Sequence, residues 1–158
     1  MASSSDFETV CRAISDELLT TVPGLRDALP HLLAAYDPEQ QVAEAGERHL
    51  AVWPLAEDPD TPTPLVTGPG GDVLIQQYAV LYWEHAGDES ARGMLDQDAA
   101  IKLFALHNAV RARFYDVDNV RLGGTSETRY AGARFPERSG QVRWFAIAVR
   151  VTQTIDVT

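Results

Sequence analysis

The sequence predicts an α+β protein in which a mixed or antiparallel β-sheet has two or three helices packed on one face. Apolar residues recur every three or four positions in two segments, as on a helix, and alternate in several others, as in strands. A segment rich in proline and glycine separates two of the predicted strands, which indicates a long β-hairpin arm. We therefore expect a single domain over residues 1–158.

The first predicted helix covers residues 5–21, and residues 1–5 before it are expected to form a flexible N-terminus. Its apolar stripe consists of Phe7, Val10, Cys11, Ile14, Leu18 and Val22. Pro23 and Gly24 end this helix. Residues 25–36 are ambiguous, because their leucines suit a second short helix that Pro30 would break.

A strand is predicted over residues 48–56, with Pro54 placing its end at a sheet edge. Residues 57–71 follow, and their prolines and glycines can neither propagate a helix nor donate regularly to a sheet ladder. This segment is therefore predicted to be an extended loop at the tip of a hairpin. It is either an arm that contacts a partner or a surface loop.

Residues 72–85 form a predicted strand whose two faces are both largely apolar. A sheet covered by helices on one side needs only one such face, so the second must meet another sheet, a loop or a neighbouring subunit. Tyr82 and Trp83 are candidate anchors of a subunit interface. A core strand buried on both faces is the simpler explanation of them.

The C-terminal third predicts one helix and two strands. The helix covers residues 96–115 and begins with aspartates and ends with arginines, the charge order that the helix dipole favours. The strands cover residues 125–135, with Gly132 at a bulge, and residues 141–154. In the last strand Phe145 and its alternate neighbours should face the helices, whereas small residues beside Trp144 leave room on the opposite face.

Charge divides the chain into an acidic and a basic part. Residues 1–110 contain 5 Lys/Arg against 18 Asp/Glu, whereas residues 111–158 contain 8 Arg against 5 Asp/Glu, within a net charge of -10. Complementary potentials of this kind favour oriented association of copies. We expect Arg129, Arg134, Arg138 and Arg143, with Trp144, to lie at a subunit interface. As a whole the chain repels phosphate, so sequence-specific nucleic-acid binding is not expected.

Composition and motifs predict neither an enzyme nor a metal or cofactor site. The sequence has no Gly-x-Ser-x-Gly, no phosphate-binding loop and no His-Glu-x-x-His, and its four histidines are scattered. The single Cys11 permits no internal disulfide, which is typical of synthesis in a cytoplasm. No apolar stretch approaches the length of a membrane span, and no membrane association is expected.

One resemblance to a known family is carried by residues 72–155, most clearly by their second half. There a helix ending in Val110–Tyr115 leads through Leu122–Thr125 into Arg129–Gly132 and the strand Arg143–Arg150. This order resembles the C-terminal half of the tail terminator, or tail completion, proteins of long-tailed bacteriophages. These are small α+β subunits that close a tail tube as a ring.

The resemblance implies a virion structural protein at the neck, the top of the tail, assembled in the cytoplasm of a bacterial host. It implies a ring of identical copies, a homohexamer, whose partners are the tail tube protein and the head–tail connector protein. DNA would pass through this ring without sequence-specific binding. Two alternatives remain open: another head–tail connector or neck protein, or a small soluble ligand-binding α+β domain with Trp53, Tyr78, Tyr82 and Trp83 around an apolar pocket.

Overall fold

The computed structural model describes residues 4–57, 72–86, 96–115, 122 and 127–155, which form two α-helices and one five-stranded sheet. The predicted α+β class is confirmed. The elements are α1 (Ser4–Thr21), β1 (Leu29–Leu32), β2 (Arg48–Glu57), β3 (Asp72–His85), α2 (Gln97–Arg113), β4 (Glu127–Ser139) and β5 (Val142–Ile155). Short 3₁₀ turns occupy Pro23–Leu25 and Pro38–Gln40. Within the described residues, neither helix is long and apolar enough to cross a membrane.

The sheet is mixed, with the strand order β1-β2-β3-β5-β4. The pairs β2–β3, β3–β5 and β5–β4 are antiparallel, and β1 pairs with β2 in parallel. Because β2 and β3 pair antiparallel, the chain between them is a hairpin connection, as predicted. The arm itself, residues 58–71, lies outside the described residues, as do residues 1–3 of the predicted flexible N-terminus.

Both helices cover the same face of the sheet, which we call the helix face. α1 buries Val10, Ile14 and Leu18, and α2 buries Leu103 and Val110. The carboxylate of Asp96 accepts a hydrogen bond from the Ala99 N–H (2.8 Å) and so caps the start of α2. The predicted apolar stripes of both helices are therefore confirmed, and burial of each large side chain contributes about 1.5–3 kcal/mol.

The sheet contributes its own apolar row to the helix face. Phe145, Ile147, Val149 and Val151 of β5 pack there beside Tyr78, Val80 and Tyr82 of β3. Tyr82 and Phe145 are direct register partners, and their ring centroids lie 5.2 Å apart. The predicted orientation of β5 toward the helices is therefore confirmed.

Residues 25–36 form no second helix. After the 3₁₀ turn at Pro23–Leu25 the chain enters β1, which pairs with residues 49–52 of β2. Pro30 breaks helices but is tolerated in an edge strand, where its missing N–H leaves no ladder bond unmade. β1 ends at Leu32, and the next residue, Leu33, has a φ of 74°. Pro54 lies beyond the part of β2 that β1 covers, in agreement with its predicted edge position.

The strand predicted over residues 125–135 continues as β4 to Ser139, and the bulge at Gly132 is confirmed. The register with β5 shifts between Tyr130 and Gly132, where Gly132 has a φ of 129°. A second shift lies between Arg134 and Glu137. Gly140, with a φ of 61°, turns the chain from β4 into β5.

We predict that Gly132→Ala destabilises the protein by about 1–3 kcal/mol, because a φ of 129° lies far outside the left-handed region that other residues tolerate. Among the described residues, no atom lies within 4 Å of the position of a new Cβ, so the loss measures backbone strain. Urea unfolding followed by circular dichroism gives the value. Gly140→Asn is the matched control, because asparagine tolerates a φ near 61°. Equal stability of Gly132→Ala and the parent chain would show that the bulge is not strained.

Candidate functional site

The candidate site lies on the sheet face opposite the helices, which we call the groove face. It exists because β3 is apolar on both sides: Ala79, Leu81 and Trp83 point away from the helices and are buried. They pack with Ala51 and Trp53 of β2 and with Trp144 of β5. No α-helix covers this face among the described elements. Instead, Tyr36 and Ala43 from the segment between β1 and β2 pack onto it.

Aromatic rings and two imidazoles gather around Trp83. The His49 ring stacks on Trp83 with centroids 4.8 Å apart and an interplanar angle of 7°. The His31 ring stacks on the same indole at 5.5 Å, and the Tyr36 ring lies 5.4 Å from it. The parallel pairing of β1 with β2 brings His31 beside His49, although 18 residues separate them. The histidines are scattered along the sequence, and the fold alone brings these two together.

A chain of hydrogen bonds runs through this cluster. His31 Nε2 and His49 Nδ1 lie 2.9 Å apart, and the Tyr36 hydroxyl lies 3.4 Å from His31 Nδ1. A neutral arrangement satisfies both contacts, with the Tyr36 hydroxyl donating to His31 and His31 Nε2–H donating to His49. Protonating either ring removes an acceptor from the chain. His49 Nε2 is buried and has no hydrogen-bond partner among the described residues.

Burial and proximity favour the neutral form of both imidazoles. Burial lowers the pKa of His31 below its ordinary value, and the neighbouring His49 lowers it further. Burial also lowers the pKa of His49, against an opposing effect of the Glu47 carboxylate. Neutral imidazole is the form that binds metals, yet the described residues contain no group of three His, Cys, Asp or Glu placed to hold an ion.

A groove of about 440 Å³ lies beside the cluster, where β4 and β5 carry small residues. Gly132 of β4 and Ala146 and Ala148 of β5 form part of its floor, as the predicted room on this side of β5 implies. Its aromatic walls are Tyr36, Trp53 and Trp144. The groove is thus concave and lined mostly by apolar side chains, as binding sites for ligands usually are.

Arginine and carboxylate groups border the groove. The Arg134 guanidinium lies 4.5 Å from the ring centroid of Trp144 and pairs with Glu137 at 3.1 Å. The half-buried ion pair between Arg143 and Glu84 (2.7 Å) lies on the other side of the sheet, beside Tyr82 and α2, and does not line the groove. Such pairs fix side-chain orientation more than they add stability.

The predicted interface residues occupy two different environments. Arg129 and Arg134 are exposed and pair within the chain with Glu127 and Glu137. Arg138 donates to the carbonyl oxygens of Gly140 and Ala86, and Arg143 pairs with Glu84. Their role toward a neighbouring copy stays a prediction.

The predicted aromatic anchors are buried within the subunit. Trp83 and Trp144 lie in the groove-face cluster, and the Trp144 indole N–H donates to the Ser139 hydroxyl (2.9 Å). Tyr82 lies in the core on the helix face, where its hydroxyl donates to Glu84 (2.7 Å). A partner therefore reaches neither Tyr82 nor Trp83 without rearrangement of the subunit.

The alternative pocket predicted around Trp53, Tyr78, Tyr82 and Trp83 is wrong as a set. Successive side chains of a strand point to opposite faces, so Tyr78 and Tyr82 lie on the helix face and Trp83 on the groove face. Of the four, only Trp53 lines the groove.

The sequence did not predict that His107 is fully buried. It lies on the side of α2 that packs against the sheet, where its ring meets that of Phe145 edge-on with centroids 5.5 Å apart. Burial lowers the pKa of His107. Its spacing of four from Leu103 was the available signal. Cys11 is buried as expected, and burial raises the pKa of its thiol to about 11, which makes it unreactive at neutral pH.

We predict that acid destabilises the protein through the two stacked histidines. Their pKa values lie below 6.5 in the folded state, so below that pH the unfolded chain takes up protons that the folded chain does not. Stability is therefore full above pH 6.5 and falls with decreasing pH. Thermal melting between about pH 7 and pH 5 should show a loss of several degrees.

The double variant His31→Gln, His49→Gln should show a shallower loss over the same range, whatever its stability at neutral pH. His107→Gln serves as the comparison: burial also lowers the pKa of this imidazole, so the variant should make the loss shallower by its own share, and the double variant should show a further, separate effect. An unchanged slope in the double variant would contradict the assignment.

The groove face thus combines an apolar groove, a neutral imidazole pair and a bordering guanidinium, an arrangement that suits binding. No protein-family model matches the chain, and no curated protein matches it.

Proposed function

We propose that the chain is a tail terminator, a virion protein that forms a ring on top of a phage tail tube and joins the tail to the head connector. The observation that carries the proposal is the packed unit formed by α2, β4 and β5. Residues on which the resemblance rests meet there: the Arg111 guanidinium lies 6.0 Å from the ring centroid of Tyr130, and the ring of Tyr115 lies 5.8 Å from it.

The position of the charges supports a ring. The strand order places β4, which carries Arg129, Arg134 and Arg138, at one edge of the sheet and β1, within the acidic part of the chain, at the other. A ring built by heterologous contacts joins one surface of each copy to a different surface of the next. Opposite charge at opposite edges favours that arrangement over a symmetric dimer.

The net charge of -10 suits a duct for DNA. Carboxylates that face a lumen repel the phosphate backbone and so oppose binding during passage. The proposed partners are further copies of the chain, six in a closed ring. The other two are the tail tube protein on one side of the ring and the head–tail connector protein on the other. The proposed location is the neck of the virion, after assembly in the bacterial cytoplasm. The same observations also support the alternative that the chain is another head–tail connector or neck protein.

A second candidate function is supported by the groove alone. Its volume of about 440 Å³ and its walls of Tyr36, Trp53 and Trp144 suit a small apolar ligand in a monomeric domain. Light scattering separates the two functions, because only the ring requires a stable oligomer. Binding of a small apolar dye to a chain that stays monomeric would favour the ligand-binding domain.

We expect a phage that lacks this gene to produce filled heads and tails that fail to join, or tails of abnormal length, while replication and lysis proceed. Electron microscopy of the lysate is the measurement. Supplying the gene from a plasmid is the control and should restore joined particles. Normal joined particles in the absence of the gene would rule the role out.

We also expect the double reversal Arg129→Glu, Arg134→Glu to weaken association of copies by about tenfold or more, most strongly at low salt. Both side chains are exposed, so the melting temperature should change little. Arg12→Glu is the matched control, an exposed, ion-paired arginine of α1. Association that is unaffected by the double reversal at every salt concentration would contradict an electrostatic contact at β4.

A further inference from the structure

We propose that the two edges of the sheet are the complementary halves of one interface, in which the β4 edge of one copy docks on the β1 edge of the next. The β4 edge consists of Phe135 with Ile101 and Phe104 of α2. The β1 edge consists of Leu29 and Leu33. This inference rests on the proposed ring and names the surfaces that close it.

Exposed apolar side chains mark both edges. On the β4 edge Phe135 is 60% exposed, and its ring packs at 5.7 Å against that of Phe104, which is 39% exposed. Ile101, one helical turn before Phe104, is 60% exposed. On the β1 edge Leu29 is 47% and Leu33 is 41% exposed. Clustered exposed apolar side chains of this size are typical of protein contact sites.

The backbone at Leu33 supports a function for its exposure. Leu33 is the only residue other than glycine with a positive φ among the described residues. A large side chain rarely adopts a φ of 74°, so the surrounding structure holds it there. The hydrogen bond from the Leu33 N–H to the Val52 carbonyl oxygen (2.9 Å) fixes this position directly after β1. An outlier that exposes a leucine at an edge indicates a contact.

The register of the sheet places the two apolar edges at the same level. Pro30 of β1 pairs with Leu50, Leu50 pairs with Tyr82, and Tyr82 pairs with Phe145. On β4, Arg134 pairs with Ala146 and Glu137 pairs with Trp144, so the residues between them lie opposite Phe145. Phe135 is one of these residues. Phe135 packs against α2 on the helix face, whereas Leu29 is the register partner of His49 on the groove face. The two patches therefore meet where the β4 edge of one copy overlaps the β1 edge of the next.

The charges around the two edges are complementary. The segment from residue 26 to residue 47, which contains β1, carries five carboxylates and one arginine. β4 carries three arginines and two glutamates. Opposite potentials bring different surfaces together and hold like surfaces apart, so a second copy in a head-to-tail arrangement is the occupant that fits.

Contact through side chains fits the edges better than a continuous sheet. Pro30 interrupts the row of donors on β1, and Pro136 does so on β4. Proline at an edge prevents a regular ladder with another strand. The interface therefore consists of apolar side chains surrounded by charge pairs, in the pattern of other protein interfaces.

Two complementary variants test this inference in the full chain. The first, Phe104→Glu with Phe135→Glu, disables the β4 edge, and the second, Leu29→Glu with Leu33→Glu, disables the β1 edge. Each alone should be monomeric by light scattering under conditions where the parent chain forms rings. Mixed in equal amounts, they should form one-to-one dimers that grow no further, because each contributes one intact edge.

Circular dichroism and thermal melting establish that the variants are folded. If a double variant does not fold, the single variant Phe135→Glu or Leu29→Glu takes its place. Val42→Glu is the matched control and should still form rings. Val42 is the most exposed large apolar residue of the described chain, but it lies on neither edge strand. Capped dimers in the mixture establish the head-to-tail contact.

Three results would overturn the inference: rings formed by either edge variant alone, no dimer in the mixture, or a parent chain that stays monomeric even at millimolar concentration. Its failure is distinguishable from failure of the proposed function. Rings that survive both variants leave the terminator role intact and refute only these edges. Normal phage particles without the gene refute the role, while capped dimers would still establish the contact.

Discussion

The burial of β3 on both faces is the constraint on which the rest of the structure depends. Tyr78, Val80 and Tyr82 require one apolar layer, and Leu81 and Trp83 require a second. Two helices provide the first layer by packing on the helix face. Among the described residues no helix packs on the other side, where the segment between β1 and β2 provides a thinner cover. The asymmetry of the fold follows from this difference.

The thin cover gives the groove face its chemistry. A helix layer would have filled the space over Ala146 and Ala148, whereas Tyr36 and its neighbours leave a groove. The same segment returns as β2 beside β1, and this pairing stacks two imidazoles on Trp83. Neutral imidazoles can replace apolar side chains in such a layer because three of their four ring nitrogens take part in the hydrogen bonds among His31, His49 and Tyr36. Their protonation would undo that balance.

The sheet also separates charge in space. Strand order carries the basic end of the chain to one edge and leaves part of its acidic portion at the other, so a division along the sequence becomes a division across the molecule. Edge strands are surfaces that proteins must protect or use. Here proline interrupts both ladders, yet large apolar side chains remain exposed beside them. That combination suits selective docking of copies rather than unrestricted strand addition.

The sequence by itself determined the class of the fold, both helices, the hairpin, the bulge at Gly132 and the two-faced burial of the central strand. Each is recorded in local spacing or in a residue with a special backbone conformation. Only the tertiary structure decided that residues 29–32 form a strand, that His31 meets His49 and that Tyr82 lies on the helix face. The first two depend on the parallel register between β1 and β2, and the third depends on the side of β3 on which the helices pack. Contacts between distant segments of this kind leave no local pattern in the sequence.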